Sequence, residues 1–403
     1  MVVGTMIAMI GAYLFQLIIG RALGPNDFAP ITVLWTIQFL IATTVFIPIE
    51  QLTIRRLAVP RPDRAPWGLY TAVILVSAGA AVVFSAATLD RLFQGNAAYL
   101  PIVGVLVTVY GGFTLGRGFL AGRRRFHEYG LSTFAESTLR LVLAVVLLLA
   151  GASTVGLAWT LVSGALVVWI WRPLAGERSE ERARGARREA RAGSTLAAFV
   201  TANASSQTIV AAGPLVVGFL GAPSKDVSIF FETFLLFRAP LTVAYNLVSR
   251  VLQPFARLVA EGQERVLRVW TVRLAVAGSL VAGVAYVVGR SIGPDLVALL
   301  LGDEFRPDAG LAGYAAGGVV LATVALFSQQ ALIAMRATGR LAVVWVGALA
   351  AAAIAIALTD GGESLRVARG FVIGEAFAFA GLTVTVLATR AAPIEANQET
   401  AEA

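Results

Sequence analysis

The sequence predicts an all-α polytopic membrane protein. Its twelve transmembrane helices form two six-helix lobes, related by a pseudo-two-fold axis along the membrane normal. Three observations lead there. Of the 403 residues, 58% are hydrophobic and only 14% charged, with a mean hydropathy of +0.79, whereas soluble domains carry about 25% charged residues. Twelve windows of about 20 mainly apolar residues, each long enough to cross a bilayer, follow one another along the chain. The arginines are concentrated in alternate connections between those windows.

The first window, MVVGTMIAMIGAYLFQLIIG, lacks a basic leading stretch and a cleavage site, so it reads as a retained helix over 2–20. Spans follow at 29–51, 68–89, 99–120, 130–150 and 153–171, the last closing on Trp169 and Trp171. The stretch 172–193, RPLAGERSEERARGARREARAG, holds seven Arg and four Glu and reads as a solvated cytoplasmic linker, helical or disordered. The second set is 194–220, interrupted at Gly213-Pro214, then 228–250 with Pro240 inside it, 266–289, 308–330, 338–358 and 367–388. The expected division is a lobe over 1–171, the linker 172–193, a lobe over 194–390 and a tail over 391–403.

Positive charge orients the spans. With the N-terminus inside, the cytoplasmic connections hold 20 Lys or Arg, the exterior ones hold 6, and 6 more lie within spans. Both termini are therefore expected on the cytoplasmic side of a bacterial inner membrane. Trp67, Trp169, Trp171, Trp270 and Trp345 fall near cytoplasmic ends, where indoles favour the interface. The net charge of +8 reads as a topology signal and an attraction to anionic headgroups, without nucleic-acid binding.

The two sets of six echo one another. LIIGRALGPNDF (17–28) leaves the first span and LVVGFLGAPSKDV (215–227) leaves the seventh. GRGFLAGRRRF (116–126) and QQALIAMRATGR (329–340) close spans in similar turns. Parallel repeats of this kind build secondary transporters with the substrate site between the halves.

Charges inside the spans carry the functional reading. In the fifth span, Ser132, Thr133, Glu136, Ser137 and Arg140 share one face. A charge near mid-bilayer costs about 2.5–3.5 kcal/mol on insertion scales, so this stripe must face protein or water. Thr32, Thr36, Thr43 and Glu50 form a stripe on the second span, and Arg238, Thr242, Tyr245, Asn246 and Ser249 form one on the eighth. Glu232 lies off that last stripe, and Asn203 and Gln207 add a polar turn on the seventh span. Arg117, Arg250, Arg273, Arg369 and Glu375 complete the set. These side chains either lock helices together as ion pairs, Glu136 with Arg140 at i,i+4 being the obvious one, or line a polar cavity between the lobes. Coherent stripes on three helices favour the cavity.

Several chemistries are excluded or disfavoured. The absence of cysteine rules out thiolate chemistry and disulfides, and the single His127 beside an arginine cluster argues against a His-based metal centre. No P-loop or dinucleotide fingerprint is present. Asp303, Glu304, Arg306 and Asp308 in the exterior stretch 290–310 could serve a membrane polymerase or ligase, but read more simply as a solvated turn.

At GRALGPNDF (20–28), GRGFLAGRRRFHEYGLSTFAESTLRL (116–141) and FRAP (237–240), the chain resembles the polysaccharide flippases of the MOP exporter superfamily, relatives of MATE exporters and of the lipid II flippase. The resemblance implies a non-enzymatic, alternating-access transporter. It would move a polyprenyl-diphosphate-linked oligosaccharide across the cytoplasmic membrane through a cationic cavity. It would work among membrane lipids and beside glycosyltransferases and a glycan polymerase, with no cofactor beyond possible H⁺ or Na⁺ coupling. Cavity candidates are Arg140, Arg238, Glu136, Arg117, Arg250, Asn246, Gln207 and Arg21, and ion-coupling candidates are Glu50, Glu136, Glu232 and Glu375. The alternatives are a MATE-like ion-coupled exporter of small molecules and a lipid II flippase. The near-absence of a leader before the first span, and the count of twelve, count against the second.

Overall fold

The computed structural model describes residues 2–57, 66–174, 186–335 and 337–389. Among them the chain is helical, without strands. The run Val2–Ile41 is two helices joined at Gly24, whose φ of 73° and ψ of 166° suit only glycine, and Pro25 then starts the next helix. We label them α1 (2–23) and α2 (25–57). Helix α2 includes a π-helical turn at Ala42–Phe46 and ends with Ile47–Leu57. Then come α3 (Trp67–Ala87), α4 (Tyr99–Gly122), α5 (Phe126–Leu149) and α6 (Thr154–Ala165, tightening to a 3₁₀ turn over Leu166–Trp171).

The second set begins with α7 (Ala186–Ala211, continuing after a break as Gly213–Phe219) and α8 (Ser224–Phe237 and Ala239–Ala260). It continues through α9 (Glu264–Leu301), α10 (Ala309–Ala334), α11 (Thr338–Leu358) and α12 (Glu363–Ala388). Counting α1 and α2 as one run, nine helices are long and apolar enough to cross a membrane, and bent α8 is a tenth. Separating α1 from α2 at Gly24 and adding broken α7 gives the twelve that the sequence predicts.

Helices α1–α6 pack mainly on one another, as do α7–α12, which gives two lobes. The repeats seen in the sequence occupy equivalent corners. Gly24 and Gly221 both have positive φ, both are followed within two residues by proline, and both end the first helix of their lobe. Gly122 and Ala334 likewise end the fourth helix of each lobe three residues before the next begins.

Two expectations fail. The ninth span does not stop at 289, because α9 runs on to Leu301 through Pro294. Within a membrane, a missing backbone donor is accommodated by neighbouring helices, and Gly293 lets α9 press against Ala312 and Phe237. The exterior stretch is then a short turn. Asp303–Phe305 forms one 3₁₀ turn, Asp308 caps α10 through Gly310 N at 2.7 Å, and Arg306 pairs with Asp295. The second failure is the linker, whose part from Ala186 onward already belongs to α7, while 175–185 and the 391–403 tail lie outside the described residues.

We call the side bearing the N-terminus and the α2–α3, α4–α5 and α6–α7 connections the terminal face, and its opposite the far face. On the far face the lobes are tied together. Arg21 Nη1 at the end of α1 donates to the Leu299 and Leu300 carbonyls at 3.4 and 3.3 Å. Arg91, between α3 and α4, donates to the Phe219 carbonyl at 2.6 Å. Phe28 meets Phe305 edge-on at 6.5 Å.

Candidate functional site

Between the lobes lies a cavity of about 480 Å³, walled by α1 and α2 on one side and α7 and α8 on the other. Its lining positions lie from mid-membrane toward the terminal face, below the ties of the far face. On α2 the lining residues Trp35, Phe39, Thr43, Ile47 and Gln51 recur every fourth residue. An ordinary α-helix would swing such a series progressively off one face. The π turn at Ala42–Phe46, whose hydrogen bonds reach one residue further, slows that drift and keeps Ile47 and Gln51 facing the cavity. On α7, Val200, Asn203, Gln207 and Val210 follow ordinary helical spacing, as do Leu235, Arg238, Thr242 and Tyr245 on α8.

Two prolines shape the α7–α8 wall. Pro214 has no N–H, so the Val210 carbonyl four residues earlier loses its helical donor. Arg238 supplies one instead, its Nη1 lying 2.9 Å from that oxygen. Pro240 sits at the start of the second half of α8, which bends by 49° from the first, and Arg238 stands at the joint. Tyr13 of the opposite lobe donates to the Leu235 carbonyl just before this joint, at 3.1 Å. Other polar groups are also tethered. Asn203 Nδ2 donates to the Thr43 carbonyl and Gln207 Nε2 to Tyr245 Oη, each at 3.0 Å.

Arg238 is the charged residue of this lining. Its guanidinium carbon lies 5.6 Å from the Phe39 ring centroid, and among the described residues it forms no ion pair. One of its five donors is spent on Val210, and the group is half-buried, open to the cavity. The rest of the wall is largely apolar and aromatic.

The other arginines expected here are elsewhere. Arg140 is 3% exposed and does not reach the cavity. Its Nη1 lies 2.8 Å from Glu136 Oε1, and its guanidinium carbon lies 4.5 Å from the ring centroid of Trp35, which stands between it and the cavity. Tyr110 Oη also donates to Glu136, at 3.2 Å. The opening of the fifth-span stripe onto the cavity is therefore corrected to an internal ion pair. In a low-dielectric interior two opposite charges one turn apart neutralise each other more readily than either faces open space.

Arg117 repeats this arrangement, 3.4 Å from Glu50 and hydrogen-bonded to Tyr129 Oη. Glu50 thus faces α4 rather than the cavity, while Thr43 of the same expected stripe lines it, because the π turn separates their phases. Arg21 belongs to the far-face ties, well away from the cavity. Gln207 is where the sequence places it, whereas the side chains of Asn246 and Arg250 lie outside the described residues.

Glu232 and Glu375 are nearly fully buried in the second lobe, at 2% and 0% exposure. Neither oxygen of Glu375, nor Oε1 of Glu232, has a hydrogen-bond partner. Glu375 faces a one-water-sized space that also touches Ser206, Gln329, Trp345 and Tyr245, and Tyr245 lines the main cavity as well. Among the described residues no cluster of three or more metal-ligating side chains occurs. Tyr13, Trp35, Phe39 and Gln51 escaped the sequence reading. Their i,i+4 series on α2 was the available signal, hidden by a search for strictly α-helical phase.

No family model matches the chain. Uncharacterised proteins of Mycobacterium bovis and Mycobacterium tuberculosis are 27% identical over 241 residues, covering 57% of this chain and 53% of the relatives. The chain thus spans about half the length of the curated relatives it matches. Solved structures align much more broadly. A multidrug resistance MATE family transporter of the MOP superfamily in an inward-facing conformation superposes with a TM-score of 0.64, at 13% identity, covering 94% of each chain. The fold is that of the MATE transporters. An outward-facing multidrug resistance MATE transporter superposes with a TM-score of 0.54 at 14% identity, covering 95% of this chain and 93% of that one. A MOP superfamily transporter of Pyrococcus furiosus, described as having a binding pocket of reverse polarity, gives 0.52 at 16% identity, over 96% and 95% of the two chains. With its apolar helices, the MATE fold makes this a multi-pass membrane protein.

Proposed function

We propose that this protein is an alternating-access transporter that carries an anionic amphiphile across the cytoplasmic membrane. The observation that carries the reading is Arg238, a cation without a carboxylate partner among the described residues, set in an aromatic cavity between two lobes. A guanidinium so placed recognises phosphate, because its planar donors match phosphate oxygens two at a time. Cationic drugs would meet repulsion there.

The finer cargo we propose is the phosphorylated head of a polyprenyl-linked sugar, in agreement with the flippase-like motifs around Gly122–Leu141 and Phe237–Pro240. Glycosyltransferases and a glycan polymerase would then be the functional neighbours. In this reading the terminal face is cytoplasmic and the conformation is inward-facing. The far-face ties and the higher similarity to the inward-facing transporter support that assignment.

Glu232 and Glu375 are the proposed sites of H⁺ or Na⁺ coupling, since a carboxylate buried at membrane depth without a partner is costly unless it exchanges a cation. A second reading, export of small aromatic molecules, draws on the cavity itself, whose volume and aromatic wall suit a drug-sized ligand.

The deciding experiment reconstitutes the protein in liposomes and follows translocation of a fluorescent prenyl phosphate beside a cationic dye. Arg238→Ala should abolish phosphate translocation at normal protein abundance. Dye transport that is indifferent to Arg238, with no phosphate translocation at all, would overturn the reading.

A further inference from the structure

A second cavity, of about 300 Å³, lies in the α7–α12 lobe behind Val210, and its lining differs sharply from that of the first. It is bounded by α7, α8, α11 and α12. Phe230 and Phe234 stack with ring centroids 4.3 Å apart, and Phe371 meets Phe234 edge-on at 5.1 Å. Its one polar side chain, Thr208, is turned back onto the Ala204 carbonyl and offers nothing to a ligand. Phe219 and Ala353 on its rim are exposed on the outer surface, so the pocket has a mouth on the side of the protein. An apolar space of this kind stays dry. A cavity of about 150 Å³ already admits benzene, and this one has twice that volume.

Val210 lines both cavities, and its carbonyl is the one that holds Arg238. Beyond it, the Ala212–Pro214 break parts α7, and Gly213 lets the helix close on Phe230, where a Cβ would lie 2.4 Å from Cε1. A single amphiphile can therefore reach both chambers, with polar atoms at the guanidinium and methylenes past Val210. Sugars and water find no partner in the second chamber, and hydrocarbon does.

We infer that the pocket behind Val210 receives the hydrocarbon chain of the same amphiphile whose anionic head rests on Arg238. The inference rests on the anionic-cargo reading and deepens it. Because the pocket runs from Val210 toward Phe219 at the far face, the chain reaches the far half of the membrane before the head does. The tail leads and the head follows.

The test uses the full-length protein in zwitterionic nanodiscs and a 16-carbon alkyl phosphate with a photoreactive chain terminus. Adducts are mapped by mass spectrometry, with butyl phosphate as a head-only ligand and the 16-carbon alcohol as a tail-only one. Adducts are expected between residues 208 and 234 and between 349 and 371. They should fall at least tenfold in Ala353→Trp, which plugs the mouth from the lipid side, and in Val216→Trp, which fills the chamber. Both variants should retain butyl phosphate binding, which also certifies their folding. Arg238-dependent binding of butyl phosphate with no gain from the long chain, or with adducts scattered over lipid-facing positions, overturns the tail site and leaves the cargo reading standing. No Arg238-dependent binding of any phosphate overturns both.

Discussion

Arg140 is the residue whose loss should damage the protein most without touching transport directly. The guanidinium is 3% exposed, 2.8 Å from Glu136 and 4.5 Å above Trp35. Arg140→Ala leaves Glu136 buried with only the Tyr110 hydroxyl to solvate it. Breaking a buried pair by removing one partner costs about 3–5 kcal/mol, and the lost stacking on Trp35 adds about 1–2 kcal/mol in a desolvated site. Glu136→Ala should cost a similar amount. The double variant Arg140→Met/Glu136→Leu, which removes both charges and keeps the volume, should recover most of the loss, with a coupling energy of at least about 2 kcal/mol. Thermal melting of detergent-solubilised fluorescent-protein fusions, read by size-exclusion chromatography, measures all four corners of the cycle. Arg140→Ala with unchanged melting and abundance but abolished transport would refute the reasoning and return Arg140 to the cargo path.

Other expectations follow from the same geometry. Arg238→Lys should retain part of the transport lost in Arg238→Ala, because an ammonium reaches either the Val210 carbonyl or a phosphate but lacks the fork to hold both; initial rates in proteoliposomes measure this. Arg21→Ala with Arg91→Ala removes hydrogen bonds that tie the lobes on the far face. In this cysteine-free chain, spin labels on cysteines introduced at Asp27 and Asp303 should then report a larger far-face separation. Glu375→Gln should leave melting unchanged or raised, since it removes a buried group with no partner, while abolishing stimulation of transport by an imposed proton or sodium gradient. Deleting Val45 should convert the π turn to α-helix and rotate Ile47 and Gln51 out of the cavity. Cysteine-labelling rates at those two positions would drop relative to Thr43.

The spans, their order and the lobe division were legible because hydropathy, glycine and proline act locally. Gly24-Pro25 and Gly213-Pro214 punctuate the backbone wherever they occur. The end of α9 was misplaced because Arg290, Gly293 and Pro294 look like a turn in isolation. They are helical because α10 and Phe237 accept them at close range. The site was half legible. Arg238, Gln207, Asn203, Thr242 and Tyr245 were found because each lies where its helix faces the other lobe. Arg140 was misassigned because periodicity gives the face a charge occupies and not what stands in front of it, and here Trp35 does. Glu50 was misassigned because one π turn changes the phase of everything after it, and nothing in that stretch of sequence announces it.

Helix α9 has a consequence for how the molecule sits in its bilayer. Its 38 residues extend about 57 Å, nearly twice the ~30 Å hydrocarbon thickness. It is also among the least buried helices, turning most of its surface to lipid. Its first turns carry Arg265, Arg268, Trp270 and Arg273, with the last guanidinium 5.6 Å from the indole, so that end anchors among headgroups. A rod pinned at one surface and overshooting the other works as a keel. It fixes the depth at which the protein floats, so that rocking of the lobes raises and lowers the cargo instead of the protein itself.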